Sequence, residues 1–309
     1  VLCANRAAWA PANAFSGLIV PPGDDAAILA DGAVWTVDTM VEGVHWDERV
    51  SPWDVGYKLV AVSVSDLAAM GARPSEMLLA ASLPASKAGS SAFWLQFCAG
   101  LAAASREFAV TLAGGDTTRS PGPVVVTVSM GGRCAAAPLL RTGARHGDDV
   151  WVSGTLGLAG AGWALPSPPE AALRALRHPN PRTALGAALA AAGAASAAMD
   201  LSDGLAADLP RLCAASGVGS EIDPSALPSD PAIAHHPDRV ALQLSAGEDY
   251  ELLFTANPDH RALIERLGAE TNTAVTRIGR MSADFSGPRR SDGAPWPPPR
   301  FSHFAEGSS

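Results

Sequence analysis

The stretch Val34-Trp35-Thr36-Val37-Asp38-Thr39, followed by Ser51-Pro52-Trp53-Asp54, decides how the chain is built. In the first, Val34, Thr36 and Asp38 alternate with Trp35, Val37 and Thr39. That is the two-residue period of a strand, with Asp38 emerging at its far end. In the second, Ser51 is a helix N-cap, Pro52 takes the first helical position and Asp54 closes a capping box. The helix predicted from there passes through Lys58 and Asp66 and stops at Gly71, shortly before Pro74. Ser63 and Asp66 are one turn apart on it and share a face.

Working outward, strands are expected at 77–83, 110–113 and 124–130, with an Ala-rich helix over 93–106, so the first half reads as α+β. The pattern pauses at Arg141-Thr142-Gly143-Ala144, and Asp148-Asp149-Val150-Trp151-Val152 starts a new strand that ends in Ser153-Gly154-Thr155-Leu156-Gly157. We place the domain boundary there, with an N-terminal domain at 1–142 and a C-terminal domain at 143–309. After a Pro-broken connection over 166–181, residues 184–199 read as an Ala-rich helix with too few bulky side chains for a membrane span. Ser202 is read as the cap of a helix to about 215, leaving Asp203 in its first turn, where the helix dipole favours an anion. Gly247-Glu248-Asp249 precedes a strand over 250–255, Glu248 and Asp249 being ordinary solvated turn residues by default. A helix follows over 258–267, and 284–300 reads as a tail or covering loop. Ser65-Asp66-Leu67-Ala68-Ala69 faintly echoes Ser202-Asp203-Gly204-Leu205-Ala206-Ala207.

Four segments carry the chemistry: Gly23-Asp24-Asp25, Val37-Asp38-Thr39, Gly114-Gly115-Asp116-Thr117-Thr118 and Asp200-Leu201-Ser202-Asp203-Gly204. Each follows an apolar, strand-like run, and binding residues of α/β proteins gather at strand ends and adjoining loops. Magnesium is a hard ion that accepts a few carboxylates together with phosphate oxygens, so convergent aspartates suit a polyphosphate. Any one of these segments is equally well read as a turn, because Asp bonds nearby backbone N–H groups and Gly tolerates positive φ.

The 309 residues suffice for two domains, and 48% apolar with 17% charged residues describes a globular chain. A net charge of -9 without a basic run argues against nucleic acid as partner. The cysteines Cys3, Cys98, Cys134 and Cys213 lie far apart, so neither a zinc site nor a disulfide framework is expected, and a cytoplasmic location fits. The first thirty residues hold one Arg and make a poor secretory signal. The only lysines are Lys58 and Lys87, and no Walker, protein-kinase, nucleophile-elbow or dinucleotide-binding motif occurs. A nucleotide would have to be held by metal, backbone N–H groups and arginine.

Taken in order, Gly23-Asp24-Asp25-Ala26-Ala27-Ile28-Leu29, Val37-Asp38-Thr39-Met40-Val41-Glu42-Gly43-Val44-His45-Trp46, Ser63-Val64-Ser65-Asp66-Leu67-Ala68-Ala69-Met70-Gly71-Ala72, Gly114-Gly115-Asp116-Thr117-Thr118-Arg119, Leu140-Arg141-Thr142-Gly143-Ala144, Asp200-Leu201-Ser202-Asp203-Gly204-Leu205 and Gly247-Glu248-Asp249-Tyr250-Glu251-Leu252 closely resemble the thiamine-monophosphate kinases. The ending Phe301-Ser302-His303-Phe304 is similar to that family's aromatic-x-His-Phe terminus. The resemblance implies an α+β, two-domain aminoimidazole ribonucleotide synthetase-like fold, with an N-terminal sheet-and-helix dimerisation domain and a C-terminal α/β domain. It implies ATP-dependent phosphorylation of thiamine monophosphate to thiamine diphosphate by direct in-line transfer, with several Mg2+ ions, in a homodimer without nucleic acid or membrane. Carried over by match, Asp25, Thr36, Val37, Asp38, Asp66, Asp116, Asp200 and Asp203 form the metal site. Asp38, Asp66, Asp116 and Arg141 are the catalytic positions. Gly115, Asp116, Arg141 and Ser202 contact ATP, and His45, Glu248 and Phe301 face thiamine monophosphate.

Two positions depart from the family pattern: Val37 stands where Ser or Thr is usual, and Ser63 replaces Asn. Residues 1–22 also lack the family's Gly-Glu opening helix. Val37 and Ser63 motivate an alternative, a non-catalytic thiamine-phosphate or nucleotide-binding protein that has lost turnover. Another alternative is a superfamily member acting on an amidine or selenide, although Cys3 lacks the Gly-rich setting that selenide chemistry requires. Trp35, Trp46 and Trp151 are read as packing residues.

Overall fold

The structure, a computed structural model, describes residues 18–20, 23–89 and 91–300. In the N-terminal half, β1 (Leu18–Val20), β2 (Ala27–Leu29), β3 (Ala33–Val41), β4 (Ala72–Leu83), β5 (Thr111–Arg119) and β6 (Val125–Cys134) form one sheet in the order β1-β2-β3-β6-β4-β5. Only β4 and β5 pair in parallel. The helices α1 (Pro52–Ala69) and α2 (Ala92–Glu107) cover one face. On β3 the expected alternation holds: Val34, Thr36 and Met40 are buried while Val37 and Thr39 are exposed. The outer face of the sheet is bare, with Val37, Leu78 and Leu112 exposed, and every residue of the edge strand β5 is open to solvent.

The C-terminal half is a mostly antiparallel sheet of β7 (Asp149–Ser153), β8 (Ala197–Asp200), β9 (Gly219–Ile222), β10 (Leu252–Ala256), β11 (Val275–Ser282) and β12 (Pro288–Arg290), in the order β12-β9-β11-β7-β10-β8. It is apolar on both faces. Val150, Val152, Met199 and Leu253 pack against α6 (Leu205–Ser216), and Trp151, Ala198, Leu252 and Phe254 pack with α5 (Thr183–Ala192) and α8 (Arg261–Glu270). Three shorter elements, α3 (Leu158–Ala164), α4 (Glu170–Arg177) and α7 (Arg239–Ser245), gather beside the sheet.

Helix α1 begins as its sequence demands. Ser51 Oγ accepts from Asp54 N–H at 3.2 Å, Asp54 returns the bond to Ser51 N–H, and the chain reverses at Gly71 with φ +70°. Its burial goes beyond an amphipathic stripe, since 14 of its 18 residues are buried. A helix apolar nearly all round belongs between two layers. Accordingly Ala68 and Ala69 join the core of the C-terminal half, where α5 passes so close that a Cβ on Gly186 would lie 2.0 Å from Ala68 O.

Four expectations need correction. Residues 184–199 are not one helix: α5 closes at Gly193 in the left-handed region, and 197–200 pair with β10 as β8. Ser202 is not a helix cap, because the N-cap of α6 is Gly204 and the Asp203 N–H is accepted by Asp208 from inside the helix at 3.0 Å. The segments around Asp38 and Asp116 lie within β3 and β5 rather than beyond strand ends. The echo between 65–69 and 202–207 is not structural, since Asp66 sits deep in a helix and Asp203 precedes one. Within 284–300, β12 adds to β9, and Trp296 Nε1 donates to Ala206 O at 3.0 Å.

The α1–α2 crossing depends on glycine: a Cβ on Gly100 would stand 1.8 Å from Trp53 O, and one on Gly56 2.1 Å from Phe97 O. Backbone cannot give way as a side chain can. Gly100→Ala is expected to lower stability in denaturant titration by about 1–3 kcal/mol, whereas Gly122→Ala, with nothing within 4 Å of the added carbon, leaves the midpoint unchanged.

Candidate active site

Three strand or loop positions and one helix position converge beneath the junction of the halves. Ligand oxygens of Asp25, Asp66 and Asp200 lie within 4.8 Å of one another. Asp25 enters from the loop before β2, Asp66 from the face of α1, and Asp200 from the end of β8. Asp38, on the inward face of β3, lies beside them, its carboxyl raised chiefly by burial, with Ser63 and Asp66 opposing and the Asp25 charge adding to the rise. Thr36 donates to Asp66, and Ser65 donates to Asp200 at 2.7 Å.

Crowding and burial set the electrostatics. Burial raises the Asp25 carboxyl to about 7 despite the opposing charge of Arg141, with Asp200 adding to the rise. Burial likewise lifts Asp200 to about 6, and it holds Asp66 well above the usual carboxylate range with help from Asp38, Asp200 and Asp25. Such groups accept a shared cation readily, because the cation removes both repulsion and desolvation cost. Asp25 Oδ2 and Asp38 Oδ2 are buried without a hydrogen-bond partner among the described residues. Oxygen donors with free lone pairs, and no sulfur or imidazole among them, fit a hard divalent ion.

Arg141 closes one side. Its guanidinium pairs with Asp25, its N–H donates to Asp24 Oδ2 at 3.1 Å, and Ser216 Oγ donates to its carbonyl at 2.9 Å. Its Nε, buried, has no partner among the described residues. On the other side lies a cleft of about 780 Å³ whose lining includes Asp38, His45, Ser202, Asp203, Glu248 and Tyr250. Val41 N–H donates to His45 Nδ1 at 2.9 Å, which puts the proton of a neutral ring on Nε2. Arg211 pairs with Asp203 at 2.7 Å and with Asp208 at 2.5 Å, anchoring the loop after β8.

The structure thus brings together Asp25, Thr36, Asp38, Asp66, Asp200 and Arg141, with His45, Ser202, Asp203 and Glu248 around the adjoining cleft. Val37 also lines the cleft, and its residue is 64% exposed. The Ser63 hydroxyl donates to Leu59 O at 3.1 Å within its own helix. Gly115 and Asp116 do not join the group. They lie on β5, three strand spacings from β3, roughly 14 Å, and Asp116 pairs in register with outward-facing Ala80. Gly115 has a packing reason of its own, since a Cβ there would stand 2.1 Å from Leu79 O. Phe301 lies outside the described residues, although Arg300 lines the cleft just before it. Trp46 and Trp151 are core residues.

Glu248, which the resemblance places at the substrate, lines the cleft, whereas Asp249, Lys58 and Trp163 are not among the expected site residues. Neither Glu248 nor Asp249 is a solvated turn residue. Asp249 accepts from Gly157 N–H at 2.8 Å, and burial holds its carboxyl well above the usual range. Glu248 adopts φ +66° and faces Lys58, which is 1% exposed. Trp163 lines the cleft beneath the Arg49 guanidinium, 4.4 Å from its ring centre. Lysine scarcity was the available signal for Lys58, and its spacing of two helical turns from Asp66 the second.

Comparison with known proteins gives these features a context. Residues 23–134 match the model for AIR synthase related protein, N-terminal domain, and residues 145–288 that for its C-terminal domain. The thiamine-monophosphate kinase of Salmonella typhimurium is 40% identical over 86% of this chain and 85% of its own. The crystal structure of thiamine-monophosphate kinase from Stenotrophomonas maltophilia superposes with TM-score 0.77 at 38% identity, covering 89% of this chain and 92% of that one. A structure of AaThiL complexed with AMPPCP and TMP superposes with TM-score 0.80 at 30% identity, covering 91% of each chain. The chain belongs to the AIR synthase related family and, within it, to the thiamine-monophosphate kinases.

Proposed function

We propose that the chain transfers the terminal phosphoryl group of ATP to thiamine monophosphate, giving thiamine diphosphate, by in-line displacement over the Asp25–Asp38–Asp66–Asp200 cluster. The observation carrying this reading is that cluster of crowded carboxylates, with buried, unpartnered oxygens on Asp25 and Asp38, set beside Arg141 and a cleft that holds His45 and Glu248. The relative crystallised with AMPPCP and TMP supports the choice of both substrates.

Asp25, Asp38, Asp66 and Asp200 would hold Mg2+, with Thr36 orienting Asp66 and Asp203 available from the cleft wall. When bound, the ions supply the positive charge that lets two anionic phosphates approach and that offsets charge developing on the leaving oxygen. Arg141, with its free Nε, presents a donor to a nucleotide phosphate while Asp24 and Asp25 fix its position. A terminal oxygen of thiamine monophosphate attacks the γ-phosphorus as its bond to the bridging oxygen breaks, releasing ADP. That oxygen is already anionic at neutral pH, so no residue need act as a strong base. His45 and Glu248 line the part of the cleft assigned to the rest of that substrate.

We also divide the chain at residues 1–142 and 143–309, supported by the two sheets and by the separate family matches. A homodimer through the first sheet would cover exposed Val37, Leu78 and Leu112. A cytoplasmic location agrees with the free thiols of Cys98, Cys134 and Cys213, and no helix among the described residues is long and apolar enough to cross a membrane.

Purified protein with ATP and Mg2+ is expected to form thiamine diphosphate from thiamine monophosphate and to leave thiamine unphosphorylated, as read by chromatography of the products. Failure to turn over thiamine monophosphate would sink the assignment. Asp66→Asn is expected to reduce kcat by about 100-fold or more and, in chelator, to raise the thermal midpoint, because one crowded buried charge is removed. Full turnover in this variant would exclude Asp66 from the metal site. Leu78→Asp combined with Leu112→Asp should shift the protein to monomer mass in light scattering, and an unchanged mass would place the dimer contact elsewhere.

A further inference from the structure

Lys58 is a buried cation that the proposed chemistry leaves unused. It is 1% exposed, and Nζ lies 2.7 Å from Glu248 Oε2, yet neither atom is aligned for a hydrogen bond with any described atom. The pair crosses between the halves, since Lys58 stands on α1 and Glu248 in the loop before β10. Such a pair is a poor source of stability. Two charges taken from water with few hydrogen bonds gain little over apolar side chains of the same size.

Its position gives a better account. Lys58, Val62 and Asp66 follow one another at successive turns of a single helix face. Asp66 belongs to the carboxylate cluster, Val62 lines the cleft, and Lys58 lies behind Glu248 on the cleft wall. Along the axis the two charged positions are about 12 Å apart at 1.5 Å per residue. One rigid helix therefore sets the distance between the phosphoryl-transfer end and a carboxylate whose backbone is pinned, Glu248 N–H donating to Ser202 O at 2.8 Å, but whose Oε2 faces Lys58 without another partner among the described residues.

We infer that Lys58 is a positioning residue: its ammonium holds the Glu248 carboxylate against the cleft, where that carboxylate receives the cationic, amine-bearing heterocycle of the phosphorylated substrate. This rests on the assignment of thiamine monophosphate to the cleft. A substrate with phosphate at one end and a positive ring system at the other matches the order Asp66, Val62, Lys58–Glu248.

The test is steady-state kinetics of the full chain with Mg2+ and ATP. Lys58→Met is expected to raise KM for thiamine monophosphate about tenfold or more, with KM for ATP unchanged and kcat altered less. Lys58→Arg keeps the charge and should show a smaller rise confined to the same substrate. Adding Lys58→Met to Glu248→Gln should cost little beyond the worse single variant, because both act through one contact. An unmoved KM for thiamine monophosphate in Lys58→Met, or an equal rise in KM for ATP, would overturn the inference while leaving the kinase assignment standing. Should Lys58→Met fail to fold by its melting curve, the same criterion applies to Lys58→Arg. Absence of turnover in the wild-type protein would instead overturn the substrate assignment, and this inference with it.

Discussion

Helix α1 is the constraint on which the rest depends. It packs on the first sheet and α2 along one side, and along another it meets α5 and β8 of the second half. A helix so enclosed cannot tilt or slide without reopening both cores, because interiors at crystal-like density transmit displacement. The two charged side chains that it carries inward, Lys58 and Asp66, are therefore held at a spacing that neither half could set alone.

That rigidity counters an unfavourable arrangement. Asp200 is buried and Asp25, Asp38 and Asp66 are half-buried, close enough to raise one another's carboxyl groups, and among the described residues Arg141 offers the direct positive charge beside them. A core of this size would be more stable with apolar residues there. The cluster persists because the apolar layers around it supply the stability, and the same burial makes a divalent ion and phosphate oxygens welcome. Low dielectric strengthens the attraction of every charge that enters.

Much of the site was legible because its residues come in short, chemically distinctive segments. Asp-Gly and Asp-hydroxyl runs, lysine scarcity and the ordered motifs led to Asp25, Asp38, Asp66, Asp200 and Arg141, and the structure gathers all five. Asp116 was read by the same logic, yet it faces outward on β5. A motif states which side chains are present but not which face of a sheet they share. Lys58 shows the converse, a residue in no binding motif that becomes prominent only when the loop of Glu248 folds against it.

By itself, the amino-acid order determined the local elements: the alternation of β3, the capped start of α1 and the division into two halves. These rest on backbone sterics, capping and periodicity, which act over a few residues. Only the tertiary structure decided that 197–200 form a strand rather than the end of a helix, that Asp249 is half-buried and bonded to Gly157, and that Lys58 meets Glu248. Those outcomes depend on burial and on partners far away in the chain. Desolvation and long-range pairing have no counterpart in local sequence.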